Sequence, residues 1–260
     1  MDKSKTPIGL FDSGIGGTSI WKEIHSLLPN EDTIYLADSK NAPYGQKSKD
    51  EIIALSIKNT EFLLEQGCKL IVVACNTATT NAIKELREKY DVPFIGIEPA
   101  IKPAAVHTKT QTIGVLATKG TLTSELFHKT VSNLKDINVI EQVGYNLVTL
   151  IEEGKLESDE VRELLKAYLQ PMIDANIDYL VLGCSHYPYL VPQIKKILPE
   201  GVKIIDSGEA VARQTKNVLD MFGLLNQSVH NTTQVFYTNT NPTVLETILG
   251  DRYEVIQRDF

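Results

Sequence analysis

The sequence predicts an α/β protein of two similar, mostly parallel lobes, related by a pseudo-twofold axis and separated by a cleft. Short apolar runs alternate with stretches of helical spacing, which is typical of parallel sheets with crossover helices. The same order of apolar runs occurs in both halves of the chain, and in each half one run ends at a cysteine, Cys75 or Cys184. A duplicated α/β unit explains these observations together.

Four strands are predicted in each half. The first strands begin at Ile8 and Ile113, and the second begin 26 residues later in both halves, at Ile34 and Val139. The third and fourth strands are the apolar runs 70–74 and 92–97 in the first half, and 179–183 and 202–206 in the second. A repeat of about a hundred residues is too long for a solenoid, so two packed lobes explain it better.

Helices are predicted between the strands. Apolar side chains recur at helical spacing over residues 52–64, before Gly67 as a C-cap, and over residues 161–172. A further helix is predicted over residues 207–222. In both halves a helix therefore precedes the cysteine strand, as a right-handed crossover between parallel strands requires.

The residues after this last helix have no counterpart in the second half. They contain two predicted strands, 234–237 and 253–256, with a helix between them. We expect this tail to pack back onto the first lobe and to make that domain discontinuous. The predicted domains are residues 1–98 together with 210–260, and residues 99–209.

The composition limits the classes of protein to which this chain can belong. Its 260 residues are 42% hydrophobic, which suits one or two compact domains. A net charge of −7 and few arginines argue against a nucleic-acid partner. No apolar run approaches a membrane span, and the N-terminus does not begin a signal peptide. Three cysteines without scaffold spacing favour a reducing compartment, so we expect a cytoplasmic protein.

The pair Cys75 and Cys184 is the strongest functional signal. Each follows an apolar strand at its carboxyl end, where open α/β sheets bind ligands. A single buried cysteine is most often inert packing, as we expect for Cys68, but two at equivalent places can reach one small molecule from two sides. A zinc site with His186 is an alternative that lacks a convincing fourth ligand. A disulfide is a second alternative, which a reducing compartment disfavours.

Two loops that follow strands of the first half contain glycine. Residues 12–19, Asp-Ser-Gly-Ile-Gly-Gly-Thr-Ser, form either a tight turn or a loop whose backbone N–H groups bind an anion at a helix N-terminus. The spacing lacks a nucleotide fingerprint and a Walker lysine, so a carboxylate suits the loop better. Residues 41–45 form either a Pro-Gly turn or a loop that brings Tyr44 over a substrate.

Three more polar residues have both a structural and a functional interpretation. His186, two residues after a strand-end thiol, is either a hydrogen-bonded structural histidine or part of a site. Glu152 and Glu153 end a predicted helix over residues 147–151, where a glutamate usually belongs to a solvated face.

Four ordered motifs point to a family. They are Phe-Asp-Ser-Gly-Ile-Gly-Gly at 11–17, Pro-Tyr-Gly at 43–45, Ala-Cys-Asn-Thr-Ala at 74–78 and Gly-Cys-Ser-His-Tyr-Pro at 183–188. Over nearly its whole length the chain resembles the glutamate racemases, which are cofactor-independent amino-acid racemases of bacterial cell-wall synthesis. The resemblance implies two α/β lobes with the active site between them, no cofactor, glutamate as substrate and, usually, a homodimer.

The resemblance also implies roles for individual residues. Cys75 and Cys184 would be the two acid/base residues, with Asp12, Glu152 and His186 as their helpers. The substrate contacts implied in the same way are Asp12, Ser13, Tyr44, Gly45, Asn76, Thr77, Ser185 and His186.

Two matches to the family pattern are imperfect. Glu152 is placed by the family's Leu-Val-Glu pattern, here Leu-Ile-Glu, and the neighbouring Glu153 leaves that assignment open. The family usually has threonine where this chain has Ser185. The hydroxyl is kept and a methyl group is lost, so substrate binding remains plausible.

The chemistry of racemisation suits two thiols. The α-proton leaves one face of the substrate and a proton returns to the other face, so one base on each side is the direct arrangement. One cysteine must be thiolate while the other is thiol, and a free cysteine titrates near pH ~8.5. Without a cofactor the protein must stabilise the carbanion with fixed donors and exclude water. We expect Asn76, Thr77 and Ser185 to be such donors.

Three other functions compete with this interpretation. A racemase of aspartate or a related small acid would use the same pair of thiols. A decarboxylase on this scaffold would need only one of them. A periplasmic-type ligand-binding module is also two-lobed, but it has no use for paired thiols and would carry a signal peptide.

Overall fold

The computed structural model describes residues 3–228, 231–250 and 252–260, and strands alternate with helices throughout them. The strands are β1 (Ile8–Asp12), β2 (Thr33–Ala37), β3 (Leu70–Val73), β4 (Phe94–Gly96), β5 (Thr112–Ala117), β6 (Asn138–Val143), β7 (Tyr179–Gly183), β8 (Lys203–Ile205), β9 (Gln234–Thr238) and β10 (Val255–Gln257). The α-helices are α1 (Thr18–Leu27), α2 (Lys49–Glu65), α3 (Asn76–Lys89), α4 (Ile101–His107), α5 (Lys119–Leu122), α6 (Glu125–Ser132), α7 (Leu147–Glu152), α8 (Asp159–Asp174), α9 (Val191–Ile194), α10 (Gly208–Met221) and α11 (Thr243–Leu249). Short 3₁₀ segments lie at Lys3–Lys5, Ser39–Asn41, Tyr44–Gln46 and Tyr187–Leu190.

The strands form two parallel sheets, which confirms the predicted fold class. Within the described residues the larger sheet has the order β10-β9-β2-β1-β3-β4, and the smaller has the order β6-β5-β7-β8. The arrangement β2-β1-β3-β4 in the first sheet is repeated as β6-β5-β7-β8 in the second. The duplication read from the sequence is therefore a duplication of sheet topology.

The strand register places the two cysteines at equivalent points. Phe11 pairs with Val73 between β1 and β3, and Leu116 pairs with Leu182 between β5 and β7. Cys75 and Cys184 each come two residues after the paired residue of the third strand. Both thiols therefore stand just beyond the carboxyl edge of their sheets.

The tail of the chain joins the first sheet. Strand β9 pairs in parallel with β2, and β10 pairs in parallel with β9. Helix α10 packs against α1, so the connection to the tail also lies on the first sheet's side. The residue boundaries of the two domains, after residues 98 and 209, stay a prediction.

One of the apolar core clusters spans the two lobes. A single cluster of buried side chains includes Ile15 and Ile20 from the first sheet's side, and Leu182 and Leu190 from the second. A polar contact also joins the two lobes: the Ser19 hydroxyl donates to the carbonyl of Ser185 at 2.9 Å. The two carboxyl edges are thus held facing each other. Among the described residues, no helix is both long and apolar enough to cross a membrane.

Candidate active site

Cys75 is the N-cap residue of α3. Its sulfur accepts a hydrogen bond from the backbone N–H of Ala78 at 3.4 Å, and a further hydrogen bond comes from Ser13. The side chain is almost completely buried, with 4% of the residue exposed. A helix N-terminus carries partial positive charge, so this position favours a thiolate whenever one forms.

Burial governs the protonation of Cys75. Loss of solvation and the nearby carboxylate of Asp12 raise the pKa of the thiol far above its ordinary value, although the N–H of Ala78 and the hydroxyl of Ser13 oppose this rise. Cys75 therefore rests as a thiol, the form that delivers a proton.

Cys184 has a different partner. It follows β7, is 6% exposed, and its sulfur lies 3.8 Å from Nδ1 of His186. The two thiols occupy equivalent positions in the repeat, but their partners differ. Cys75 lies at a helix N-terminus beside the Ser13 hydroxyl, and Cys184 lies beside the His186 imidazole. This asymmetry suits a pair in which one member gives a proton while the other takes one.

His186 is held between acidic groups. Its Nε2–H donates to Oε1 of Glu152 at 2.6 Å, and Oδ2 of Asp12 lies 3.9 Å from Nδ1. Burial disfavours a charge on the imidazole, but Asp12, Cys184 and Glu152 outweigh burial and raise the pKa of His186 well above its ordinary value. A protonated His186 can donate through Nδ1 toward Cys184.

Glu152, rather than Glu153, faces the site. Glu152 is the last residue of α7, and Oε1 accepts from the N–H of Ile15 at 2.7 Å as well as from His186. Glu153 is a C-cap whose half-exposed carboxylate pairs with Lys155 at 2.7 Å. Glu152, the residue that the family pattern indicates, is therefore the glutamate that contacts the site.

The glycine-rich loop does bind anions, but they are the protein's own. Oδ2 of Asp12 accepts from the N–H groups of Gly14 and Gly17, both at 3.1 Å, and Glu152 takes the N–H of Ile15 between them. The expectation that a substrate carboxylate occupies this loop is therefore wrong for these three N–H groups. These N–H groups already donate to the carboxylates of Asp12 and Glu152, and the loop thereby fixes the positions of both carboxylates.

Two glycines of this loop leave room for the acidic network. A Cβ on Gly14 would stand 1.9 Å from Oε1 of Glu152, and one on Gly16 would stand 2.2 Å from Nδ1 of His186. Contacts this short are impossible for real side chains. The glycines are needed for close approach.

Asp12 and Ser185 join the two strand ends across the cleft. Burial raises the pKa of Asp12, while His186 lowers it and Glu152 raises it further. The Ser185 hydroxyl donates to Oδ1 of Asp12 at 3.0 Å and lies 3.4 Å from Nδ1 of His186. Ser185 therefore contacts Asp12 and His186 besides lining the cavity.

Asn76 and Thr77 begin α3, directly after Cys75. The Asn76 side chain is buried, its Nδ2 donates to the carbonyl of Ile97 at 3.5 Å, and its Oδ1 has no partner among the described residues. The Thr77 hydroxyl lies 2.8 Å from that of Thr118. An unpaired buried acceptor beside the thiol is costly unless a donor reaches it, which suits an ammonium group.

Tyr44 lines the site differently from the expectation. Its hydroxyl donates to Oδ2 of Asp38 at 2.5 Å, away from the cavity, so the wall is formed by the ring and by the backbone of residues 43–45. Gly45 lies against the second lobe, because a Cβ there would stand 2.7 Å from Cβ of Thr118.

Thr118 is a lining residue that the sequence analysis missed. It follows β5 directly, as Ser13 follows β1, and register equates the two because Phe11 and Leu116 hold the same place in their sheets. The duplication was a signal that could have found it. Val148 of α7 is an apolar lining residue without such a signal, whereas Pro43, which also lines the cavity, belongs to the motif at 43–45.

These elements enclose one cavity. Its free volume between the two sheets is about 10 Å³, room for roughly one water molecule, so the cavity is nearly closed. The residues lining it are Ser13, Pro43, Tyr44, Gly45, Cys75, Asn76, Thr77, Thr118, Val148, Cys184, Ser185 and His186.

The alternatives that used the thiols differently receive no support from the side chains. Cys68, Cys75 and Cys184 are free, so no disulfide joins the strand ends. In the part of the chain that the structure describes, no group of three or more His, Cys, Asp or Glu residues is arranged to hold a metal ion.

Comparisons with known proteins place the chain among racemases. The family model for Asp/Glu/hydantoin racemases matches residues 8–215. A glutamate racemase of Ralstonia pickettii (strain 12J) is 49% identical over 223 residues, which cover 85% of this chain and 79% of that protein.

Solved structures agree with this relationship. A glutamate racemase isoform from Bacillus anthracis superposes with a TM-score of 0.88 at 34% identity, covering 98% of this chain and 97% of that one. The glutamate racemase of Francisella tularensis subsp. tularensis SCHU S4, solved in complex with D-glutamate, has a TM-score of 0.86 at 33% identity, with 98% of both chains covered.

Proposed function

This chain belongs to the Asp/Glu/hydantoin racemase family, and we propose that it is a glutamate racemase that transfers the α-proton between Cys75 and Cys184. The observation that carries the proposal is the pair of buried thiols at equivalent strand ends, both lining one enclosed cavity. Two proton carriers on opposite sides of an α-carbon are what inversion without a cofactor requires.

In the direction from L- to D-glutamate, the thiolate of Cys184 takes the α-proton and becomes a thiol. The electron pair of the broken C–H bond stays on the α-carbon as a carbanion. The thiol of Cys75 then donates its proton to the opposite face and is left as the thiolate. The product is D-glutamate, and the enzyme now has the protonation state that the reverse reaction needs. The assignment of faces rests on the family resemblance.

The environments of the thiols support this division. His186, 3.8 Å from the Cys184 sulfur, is a cationic partner for a thiolate there. The pKa of Cys75 is raised by burial and by Asp12, so Cys75 holds its proton until the carbanion forms. Once formed, the Cys75 thiolate is stabilised by the N–H of Ala78 and by Ser13.

The carbanion is stabilised by groups that are already in place. Asn76, Thr77 and Ser185 offer polar atoms to the substrate's charged groups, and the unpaired Oδ1 of Asn76 is an acceptor for the α-ammonium group. Closure of the lobes excludes water and strengthens each of these interactions. Asp12 and Glu152 act one step away, by orienting Ser185 and His186.

Glutamate is the proposed substrate, in preference to aspartate. The polar groups of the cavity come from both lobes, and one set can hold the α-carboxylate while another holds the side-chain carboxylate. Aspartate is one methylene shorter, so it would leave buried donors unpaired if its α-carbon stayed between the sulfurs. Unpaired polar groups discriminate strongly, by up to roughly 10⁴-fold.

The resemblance also supports three further parts of the proposal, which concern location, assembly and metabolic role. We propose that the enzyme works in the cytoplasm, forms a homodimer, and supplies D-glutamate for peptidoglycan. Sedimentation of the purified protein tests the dimer independently of activity.

The deciding experiment is chiral analysis of L- and D-glutamate incubated with the full chain in deuterium oxide. We expect interconversion of the enantiomers and solvent deuterium at the α-carbon of the product. Activity should persist after chelator treatment and without pyridoxal phosphate. Loss of activity with EDTA that zinc restores would refute the two-thiol mechanism. Equal kcat/KM values for D-glutamate and D-aspartate would refute the proposed substrate.

A further inference from the structure

We propose that Asp38 is a positioning residue, which fixes the Pro43–Gly45 wall of the cavity through the hydroxyl of Tyr44. The inference rests on the proposed function, because it treats this cavity as the site of racemisation. It also gives the tail of the chain a part in the site, since one partner of Asp38 comes from the tail.

Asp38 is a fully buried carboxylate with donors on both oxygens. It follows β2 directly, at the carboxyl edge of the first sheet. Oδ2 accepts from the Tyr44 hydroxyl at 2.5 Å and from Nδ2 of Asn59 at 3.4 Å. Oδ1 accepts from Nδ2 of Asn41 at 2.7 Å and from Nδ2 of Asn239 at 2.5 Å. Such complete pairing is what makes a buried carboxylate tolerable.

The Tyr44 hydroxyl is held as a donor. Burial and then the charge of Asp38 raise the pKa of Tyr44 well above its ordinary value. Nδ2 of Asn59 donates to the same hydroxyl at 3.1 Å, so the Tyr44 oxygen both donates and accepts a hydrogen bond. A hydrogen bond to a carboxylate is stronger than one between neutral groups, and it fixes the direction of the ring.

The wall that Tyr44 carries meets the second lobe. Pro43, Tyr44 and Gly45 line the cavity, and Tyr44 is only 1% exposed. Across the cleft, a Cβ on Gly120 would stand 3.2 Å from Cα of Gly45. The backbones of Gly45 and Gly120 are therefore so closely packed that a side chain on Gly120 would crowd the wall. A shift of the Tyr44 ring would therefore change the space in which the α-carbon must sit between the sulfurs.

The tail supports the same cluster. Asn239 comes directly after β9, and besides its bond to Asp38 its Oδ1 accepts the backbone N–H of Lys40 at 2.9 Å. Asn239 thus joins the tail to the segment that leads from β2 to the wall.

Asp38 and Tyr44 act as one unit in this proposal, so the test is a double-mutant cycle. Asp38→Asn and Tyr44→Phe remove the charged hydrogen bond from either side, and Phe keeps the ring on the cavity. Each is expected to lower kcat/KM for both enantiomers by about tenfold or more, mainly through KM. The double variant should lose little beyond either single one, because the interaction is already gone. Tyr90→Phe is the matched control, since its hydroxyl donates to Glu61 at 2.7 Å on the surface.

Two further measurements test the proposal. The rise in Tm caused by a fixed concentration of D-glutamate measures binding without catalysis and should shrink in each variant. Asn239→Ala, which leaves Asp38 and Tyr44 intact, should weaken D-glutamate binding in the same direction and can be measured if Asp38→Asn does not fold. Losses that multiply in the double variant, or a lower Tm with unchanged KM, would overturn the proposal.

These outcomes are separate from failure of the proposed function. If the wild-type chain does not racemise glutamate, the proposed function is wrong. If the wild type is active and the Asp38, Tyr44 and Asn239 variants match its kcat/KM, only the positioning role of Asp38 is wrong.

Discussion

Oε1 of Glu152 lies 2.6 Å from Nε2 of His186, and the opposite nitrogen of that imidazole lies 3.8 Å from the sulfur of Cys184. The same carboxylate oxygen accepts the N–H of Ile15, which belongs to the loop after β1. Glu152 therefore orients the partner of one thiol and at the same time bonds to the opposite lobe. Through Glu152, His186 is therefore connected to the loop of the opposite lobe.

Replacement of Glu152 should shift the pH dependence of the reaction. Without this carboxylate the pKa of His186 falls, so the imidazole loses its proton at a lower pH. We expect Glu152→Gln to reduce kcat for L-glutamate by about 10²-fold and to move the alkaline limb of kcat/KM to lower pH. Glu153→Gln is the matched control, because Glu153 pairs with Lys155 outside the site. If the pH profile of kcat/KM for Glu152→Gln is not shifted, Glu152 does not control the protonation of His186 during the reaction.

The close approach of Gly16 to His186 should be visible in kinetics. An added methyl group would stand 2.2 Å from Nδ1, so the imidazole must move. A displacement of about 1 Å at a reacting group can cost about 10²-fold in rate, and we expect that loss in kcat of Gly16→Ala. Gly208→Ala is the control, since its Cβ would meet Cγ of the flexible Glu23 at 3.0 Å. Equal kcat values for the two variants would contradict the geometry.

The two thiols should be separately indispensable. Cys75→Ala and Cys184→Ala should each abolish racemisation in both directions, because inversion needs a proton carrier on each face. Cys68→Ala is the matched control: this thiol is buried against β1, outside the cavity, and burial raises its pKa to about 12. The measurement is circular dichroism of both glutamate enantiomers. Near wild-type turnover by either Cys75→Ala or Cys184→Ala would refute the assignment.

The buried ion pair of Lys69 and Glu31 should contribute to the stability of the fold and not to catalysis. Nζ of Lys69 and Oε2 of Glu31 lie 2.5 Å apart with 1% of each side chain exposed, and Oε1 of Glu31 accepts the N–H of Asn226 at 2.8 Å. Lys69→Met leaves the carboxylate buried without its cation, and we expect the free energy of unfolding to fall by about 3–5 kcal/mol.

The control for this stability prediction is the exposed pair of Lys89 and Glu61, at 3.0 Å. Lys89→Met should leave the urea midpoint nearly unchanged, because solvent screens that pair. Both variants should keep the wild-type kcat, since neither lysine lines the cavity. A drop in kcat without a drop in stability for Lys69→Met would show that the pair acts on the site.

The sequence by itself determined which segments form strands, their duplication in two parallel units, and the position of both thiols, whereas the order of the strands within each sheet came from the tertiary structure. Apolar runs such as 70–74 and 179–183 can be recognised as buried strands because their pattern depends only on neighbours along the chain. Since parallel strands present their carboxyl ends to one edge, the positions of Cys75 and Cys184 followed from where those strands end. The repeated order of the strands along the chain likewise needed no knowledge of packing.

Only the tertiary structure decided which polar groups meet. Glu152 and Glu153 are adjacent in sequence, yet one contacts His186 and Ile15 while the other faces Lys155. The difference arises because α7 turns one side toward the opposite lobe, and no pattern within residues 147–153 records where that lobe lies. The sequence left open whether the glycine-rich loop is a tight turn or an anion-binding loop, and the carboxylates that fill it come from its own strand and from a residue 137 positions away from Ile15. Partners so distant in sequence are fixed by how the lobes close, which is a property of the folded core.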